Sequence, residues 1–188
     1  LTGAETGALV SGSDTVSFSE VERFALGAGN DSVTGSAGND SVDAGAGNDT
    51  LSGGAGNDSL SGGVGNDLLI GGAGADLLTG GAGIDTVSYA FSNAGVTVNL
   101  ATGTGAGGDA EGDTITGVEV VIGSDFADSL TGGASNETLV GGAGNDTLTG
   151  TAGDVLSGGD GNDVFRFDRL ASGTAGITVT GGANGAGG

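Results

Sequence analysis

Aspartate returns every nine residues along the first half of this chain, at Asp31, Asp40, Asp49, Asp58, Asp67, Asp76 and Asp85, and each one closes a glycine-rich phrase. The full unit reads Gly-Gly-x-Gly-Asn-Asp-x-aliphatic-x, as in Gly53 to Ser61 and Gly62 to Ile70, and Gly71 to Thr79 keeps all of it but the Asn. Carboxylate and main-chain carbonyl oxygens are hard ligands, and a hard divalent cation with six to eight flexible oxygen positions, calcium before magnesium, suits them best. With no His and no Cys in the sequence, zinc and copper sites of the usual kinds and disulfides are excluded. Lys is also absent, and no acid outside the periodic array suggests an acid and base pair, so catalysis by this stretch finds little support.

The rest of each unit is what positions the acid. Glycines permit positive φ and close backbone approach, and Asn and Asp favour turns, so the first six residues read as a turn. The last three alternate polar, apolar, polar, the period of a very short strand with its middle side chain inward. One unit is therefore half a coil, and eighteen residues advance the chain by one strand spacing, roughly 4.8 Å. The inward column reads Val33, Val42, Leu51, Leu60, Leu69, Leu78 and Val87, with Phe24 extending it backwards. Burial of each offers about 1.5–3 kcal/mol against roughly 1–2 kcal/mol of backbone entropy for every residue ordered. One aliphatic per nine residues cannot hold such a coil, and bound cations are expected to supply much of the rest.

Eighteen residues per coil put Asp31, Asp49, Asp67 and Asp85 on one edge and Asp40, Asp58 and Asp76 on the other. Same-edge neighbours repel when ionised. A calcium ion between them takes carboxylates of two successive coils and carbonyls of the loops. The expected ligands therefore include Gly53, Ala55, Asn57, Gly62, Val64 and Asn66, with Asn48 and Asn145 in equivalent places.

After Tyr89 the period breaks. Gly95 to Leu100 alternates as a strand, a glycine-rich loop follows from 101 to 108, and the acids resume at Glu119, Asp128, Glu137, Asp146, Asp154 and Asp163. The matching aliphatics are Val121, Leu130, Leu139, Leu148, Leu156 and Phe165. Only the loops before Asp146 and Asp163 are complete. Asp14-Thr15-Val16 with Val21-Glu22 is echoed by Asp113-Thr114-Ile115 with Val118-Glu119, and each copy reads as a coil that opens a roll. Glu22 and Glu119 keep the acid register and are carried as ligands with Asp128, Asp146, Asp154 and Asp163. Asp113 and Glu137 lack part of their loops and are left undecided, and Asp109 and Glu111 read as loop decoration. The domains expected are a capping coil over 1–25, a first block over 26–88, a strand and loop insertion over 89–118, a degraded second block over 119–168 and a glycine-rich tail over 169–188. Leu68, Ile70 and Leu77 are apolar at outward positions, and the segment from Tyr89 to Leu100 is expected to cover part of them.

These tandem units resemble the nonapeptide of the repeats-in-toxin (RTX), haemolysin-type calcium-binding family. Departures are small: Ser36 and Ala44 replace glycines, and Ala75 and Ile84 replace Asn. The resemblance implies an all-β fold, a parallel β-roll binding several calcium ions. It also implies a protein exported by type I secretion from a Gram-negative bacterium, crossing unfolded and folding on external calcium, secreted or held at the cell surface. A protease, lipase, epimerase or toxin domain is often attached in such proteins, which makes the roll a folding and export module. The alternative is a calcium-dependent adhesin or surface-layer segment.

Composition limits other partners. The 188 residues carry 46 glycines and a net charge of −21 with three basic residues, Arg23, Arg166 and Arg169. Without cations this favours an expanded chain. Nucleic acid and anionic membrane find no basic surface, and no apolar run suggests membrane insertion. The Ser and Thr rows read as a soluble β-surface in preference to an ice- or sugar-binding face. A start at Leu1 and a glycine-rich finish are expected of a piece of a larger polypeptide.

Overall fold

A computed structural model describes residues 6–8, 15–17, 23–167 and 176–181. Its strands, in chain order, are β1 (Thr6–Ala8), β2 (Thr15–Ser17), β3 (Arg23–Ala25), β4 (Ser32–Thr34), β5 (Ser41–Ala46), β6 (Thr50–Ala55), β7 (Ser59–Val64), β8 (Leu68–Ala73), β9 (Leu77–Ala82), β10 (Thr86–Ser88), β11 (Thr97–Asn99), β12 (Thr104–Ala106), β13 (Thr114–Thr116), β14 (Val120–Ile122), β15 (Ser129–Thr131), β16 (Thr138–Ala143), β17 (Thr147–Gly150), β18 (Val155–Asp160), β19 (Val164–Phe167) and β20 (Thr178–Thr180). Apart from β11, β12 and β13, which share one sheet, successive strands alternate between two sheets. The first runs β1-β3-β5-β7-β9-β13-β12-β11-β15-β17-β19 and the second β2-β4-β6-β8-β10-β14-β16-β18-β20. Pairing is parallel with an eighteen-residue step, Leu51 beside Leu69 and Leu60 beside Leu78. This is the all-β parallel β-roll, two nonapeptides to a coil, that the period predicts.

Strands in the complete units are longer than the three residues read from the alternation. The ladder continues through the Gly-Gly-x stretch, with Gly63 opposite Gly81 and Val64 opposite Ala82. Glycines in a strand weaken it unless close backbone approach requires them. Here it does: a side chain at Gly63 would collide with the carbonyl of Gly45 one coil below, and its φ of 108° is closed to other residues.

The inward column is buried along its length, and Leu51, Leu69, Leu78, Leu130, Leu139, Leu148 and Leu156 are fully enclosed. Phe165, near the end of the described roll, is partly buried. Tyr89, Val96, Val98, Ala110, Ile115 and Val118 join the same core. The period does not reach them because they belong to the interruption, in which β11 and β12 form an antiparallel hairpin spliced into the first sheet between β13 and β15. The second sheet runs on uninterrupted, with β14 between β10 and β16.

This placement corrects the expectation that the Tyr89 to Leu100 segment covers the outward Leu68, Ile70 and Leu77. Its apolar residues Tyr89, Val96 and Val98 enter the core, and Leu77 stays 45% exposed. Nor do the three leucine and isoleucine side chains form one patch. Leu68 and Ile70 lie on the second sheet and Leu77 on the first, because consecutive units face opposite ways. Among the described residues no helix is long and apolar enough to cross a membrane.

Candidate metal centres along the two edges

Each turn between sheets delivers its acid to the first position before a strand, inside the roll. Asp31, Asp49, Asp67, Asp85, Glu119, Glu137 and Asp154 precede successive strands of the second sheet, and Asp40, Asp58, Asp76, Asp113, Asp128, Asp146 and Asp163 precede strands of the first. Both rows are buried despite their charge, save for the half-buried Glu119 and Asp163. Glu22 and Asp14 lie outside the described residues.

In ten of these carboxylates one oxygen builds the ladder. The Asp31 N–H donates to Asp49 Oδ1 at 2.7 Å, Asp49 to Asp67 and Asp67 to Asp85 at 2.8 Å, and Asp85 to Glu119 Oε2 at 2.9 Å. On the other edge Asp40 donates to Asp58, Asp58 to Asp76 and Asp76 to Asp113, each at 2.8 Å. Beyond the hairpin the row restarts: Val96 donates to Asp128, Asp128 to Asp146 and Asp146 to Asp163. Glu137 donates to Asp154, while Glu119 turns its N–H to the Asp85 carbonyl, so these two glutamates do not link.

The other oxygen is a different matter. Oδ2 of Asp49, Asp58, Asp67, Asp76, Asp85 and Asp146 and Oε2 of Glu137 are buried and accept no hydrogen bond. An unsatisfied buried polar atom costs about 1–3 kcal/mol, more when charged, so this many in one small roll implies a ligand that the protein itself does not supply. Burial first, then the neighbouring carboxylates, push these groups up, Asp76 to about 7 and Asp146 to about 6, with Asp49, Asp58, Asp67, Asp85 and Glu137 shifted the same way.

The surroundings fit an oxygen-seeking cation. Among the described residues no three carboxylates converge, so main-chain oxygens must complete any coordination shell. The first glycine of each unit gives the carboxylate its room: a methyl group at Gly53 would collide with Asp58 Oδ2 and stand 2.7 Å from the Gly71 carbonyl of the next coil. Gly62 makes the same space for Asp67, and Gly141 for Asp146. Carboxylate and carbonyl oxygens of successive coils thus face one another across a gap that these glycines leave open, and before Asp49 the small Ala44 holds the same place. Calcium, when bound, supplies two positive charges and accepts six to eight such oxygens.

The loop residues expected as ligands are placed along the same edges. Asn48, Asn57 and Asn66 are exposed, and their side-chain oxygens accept the N–H groups of Asn66, Ala75 and Ile84 one coil on. Asn145 accepts from Asn162 in the same way. Their side chains form a second ladder, which leaves main-chain carbonyls as what these positions offer a cation. Val64 has its carbonyl on the Gly47 N–H at 2.8 Å, and Ala55 donates its own N–H to the Ser36 carbonyl.

Two acids that the sequence left undecided as ligands take places in the rows. Asp113 continues the row after Asp76, although no nine-residue step reaches it from Asp85. The available signal was Asp113-Thr114-Ile115, the same acid, hydroxyl, aliphatic run as a regular unit. Its outer oxygen accepts the Tyr89 hydroxyl at 2.8 Å, so a phenol closes the row where the hairpin begins. Burial and the adjoining Asp113 carboxylate hold that phenol well above the usual range. Glu137 is the second, its Oε1 accepting the Ser135 N–H. Asp109 and Glu111 are not rungs: in the insertion Glu111 accepts the Gly107 N–H and the Asp109 N–H donates to Ser92, while the Asp109 carboxylate lies close enough to push Asp76 and Asp113 up.

The comparisons agree with this geometry. A family model described as the RTX calcium-binding nonapeptide repeat (4 copies) matches residues 26–60, 52–87, 107–148 and 144–169, more than half of the chain. A search of curated proteins finds no match to it. With its coils, its buried carboxylate rows and these matched repeats, the chain belongs to the RTX calcium-binding nonapeptide repeat family.

Proposed function

We propose that this calcium-binding β-roll is a conformational switch that stays expanded where calcium is scarce and winds up where it is plentiful, so that it assists type I export, folding and stability of an attached domain. The observation that carries the reading is the set of buried, unpartnered carboxylate oxygens at Asp49, Asp58, Asp67, Asp76, Asp85 and Asp146. Wound without a cation, the roll would hold these oxygens dry and mutually repelling, and the net charge of −21 adds to the cost. Extracellular calcium modules work at affinities of order 10⁻⁴–10⁻³ M, which keeps such a chain unwound in the cytosol and wound outside a Gram-negative cell. The ligands proposed are the ladder carboxylates and the loop carbonyls of Gly53, Ala55, Asn57, Gly62, Val64 and Asn66 with their equivalents, and the blocks proposed are 26–88 and 119–168 around the insertion.

Small-angle scattering of the chain tests the switch. In chelator the radius of gyration should approach the roughly 46 Å of an unfolded chain of this length, and millimolar calcium should reduce it sharply. A compact particle in both solutions would remove the basis for an export role.

A further inference from the structure

Nine of the aspartate rungs fall into two kinds, and the residue at the second position of the glycine phrase before each separates them. Before Asp49, Asp58, Asp67, Asp76, Asp85 and Asp146 that residue is Gly45, Gly54, Gly63, Gly72, Gly81 and Gly142, with φ between 97° and 122°. In all six the outer carboxylate oxygen is buried and without a hydrogen-bond partner. Before Asp40, Asp128 and Asp154 the second position holds Ser36, Ser124 and Thr151. In all three its own N–H donates to the outer oxygen, at 3.0, 2.6 and 2.6 Å.

The cause is in the backbone. A φ near +100° turns the peptide preceding the residue about its N–Cα bond, and only glycine takes that conformation readily. The preceding coil enforces it, since a side chain at Gly54 would run into the Ser36 carbonyl and one at Gly72 into the Gly54 carbonyl. A residue with a side chain is kept out of that region, and its N–H stays aimed at the carboxylate of its own turn. Ser124 adds its hydroxyl to Asp128 Oδ1 at 2.8 Å.

We infer that the second residue of each nonapeptide decides whether its rung takes a cation: glycine leaves the aspartate oxygen to calcium, whereas serine or threonine occupies it with a main-chain N–H and makes the rung self-sufficient. Asp40, Asp128 and Asp154 then stay in register as structural rungs, and they hold coils together without metal. This rests on the calcium-ladder reading above and sharpens it, because an aspartate in the right register is no longer enough to define a site. It also gives the seryl and threonyl departures from the repeat a role.

The test counts calcium ions per molecule of the full chain, by equilibrium dialysis at saturating calcium, with circular dichroism confirming that each variant is wound. Ser124→Gly should bind about one further ion, and Ser36→Gly with Ser124→Gly about two. Ser124→Ala keeps both the side-chain carbon and the N–H donor and should leave the count unchanged, which separates the main-chain effect from loss of the hydroxyl. Equal counts for the parent chain, Ser124→Gly and the double variant, all wound, would overturn the inference while leaving the ladder intact. A gain in Ser124→Ala as large as in Ser124→Gly would overturn it too. If the parent chain bound no calcium, the ladder reading itself would fall, and this inference with it.

Discussion

Between Asp31 and Asp85 the roll is made of near-identical coils, and between Glu119 and Asp163 it is made of unequal ones, yet both stretches keep the same two sheets and the same buried aliphatic column. They differ in how the acids are satisfied. In the first stretch Asp49, Asp58, Asp67, Asp76 and Asp85 each present a buried oxygen with no protein donor. In the second only Asp146 and Glu137 do, whereas Asp128 and Asp154 are held by Ser124 and Thr151. The contrast teaches that the aliphatic column and the strand ladder set the shape, and that the loops set how much of it depends on cations.

The largest effect that bears on this division belongs to the core, which both stretches share. Leu60→Ala and Leu148→Ala each open a cavity among fully buried neighbours and should cost about 2–5 kcal/mol, at saturating calcium as well as below it. Chemical denaturation in excess calcium reads this. Full restoration of Leu60→Ala by calcium would mean that ions, and not the aliphatic column, fill the interior.

Next come the acids, where the two stretches should part. Asp58→Ala removes an oxygen that no protein group uses, together with the acceptor of the Asp40 N–H. It should shift the calcium midpoint of winding upward. Asp128→Ala strands the N–H groups of Val96 and Ser124, a loss of about 1–3 kcal/mol that calcium does not relieve. Calcium titrations followed by denaturation in excess calcium separate the two. Tyr89→Phe belongs with Asp128→Ala, since it leaves Asp113 Oδ2 buried without its phenol donor. Asp109→Ala removes no rung, only a like charge beside Asp76 and Asp113, and should stay within about 0.5 kcal/mol of the parent.

Acid sharpens the comparison further. The folded-state values of Asp49, Asp58, Asp67, Asp76, Asp85 and Asp146 are raised, chiefly by burial, so protonation favours the wound state when calcium is stripped away. That contribution is complete below about pH 4 and is lost as pH climbs through the raised values, up to about 7 for Asp76. In chelator the β signal should therefore grow as pH falls from 7.5 toward 4. In calcium the winding midpoint should rise over the same span, because protons and cations compete for the same oxygens. A calcium-free chain equally unfolded at both pH values would show that the buried ladder is not what opposes winding.

Much of this was legible in the residues because a strict period fixes geometry. Nine-residue spacing with one aliphatic per unit determined the coil, the inward column from Val33 to Val87 and the two rows of acids. Part of what escaped lay where the period stops. Asp113 sits in the row only because β13 docks beside β9, a pairing across the spliced hairpin that no local spacing reveals. The opposite facing of Leu68 and Leu77 follows from the half-coil rule, but the run of apolar letters hid it. The roles of Ser36, Ser124 and Thr151 depend on a backbone angle, which a sequence conveys only as the absence of glycine.

Far-ultraviolet circular dichroism of the chain during a calcium titration, reversed with chelator, tests most directly the claim that cations at the buried carboxylates hold the roll together. The account predicts a disordered spectrum in chelator at neutral pH, a steep change to a β spectrum as calcium is added, and full reversal when it is removed. A β spectrum that is the same in chelator and in calcium would contradict it.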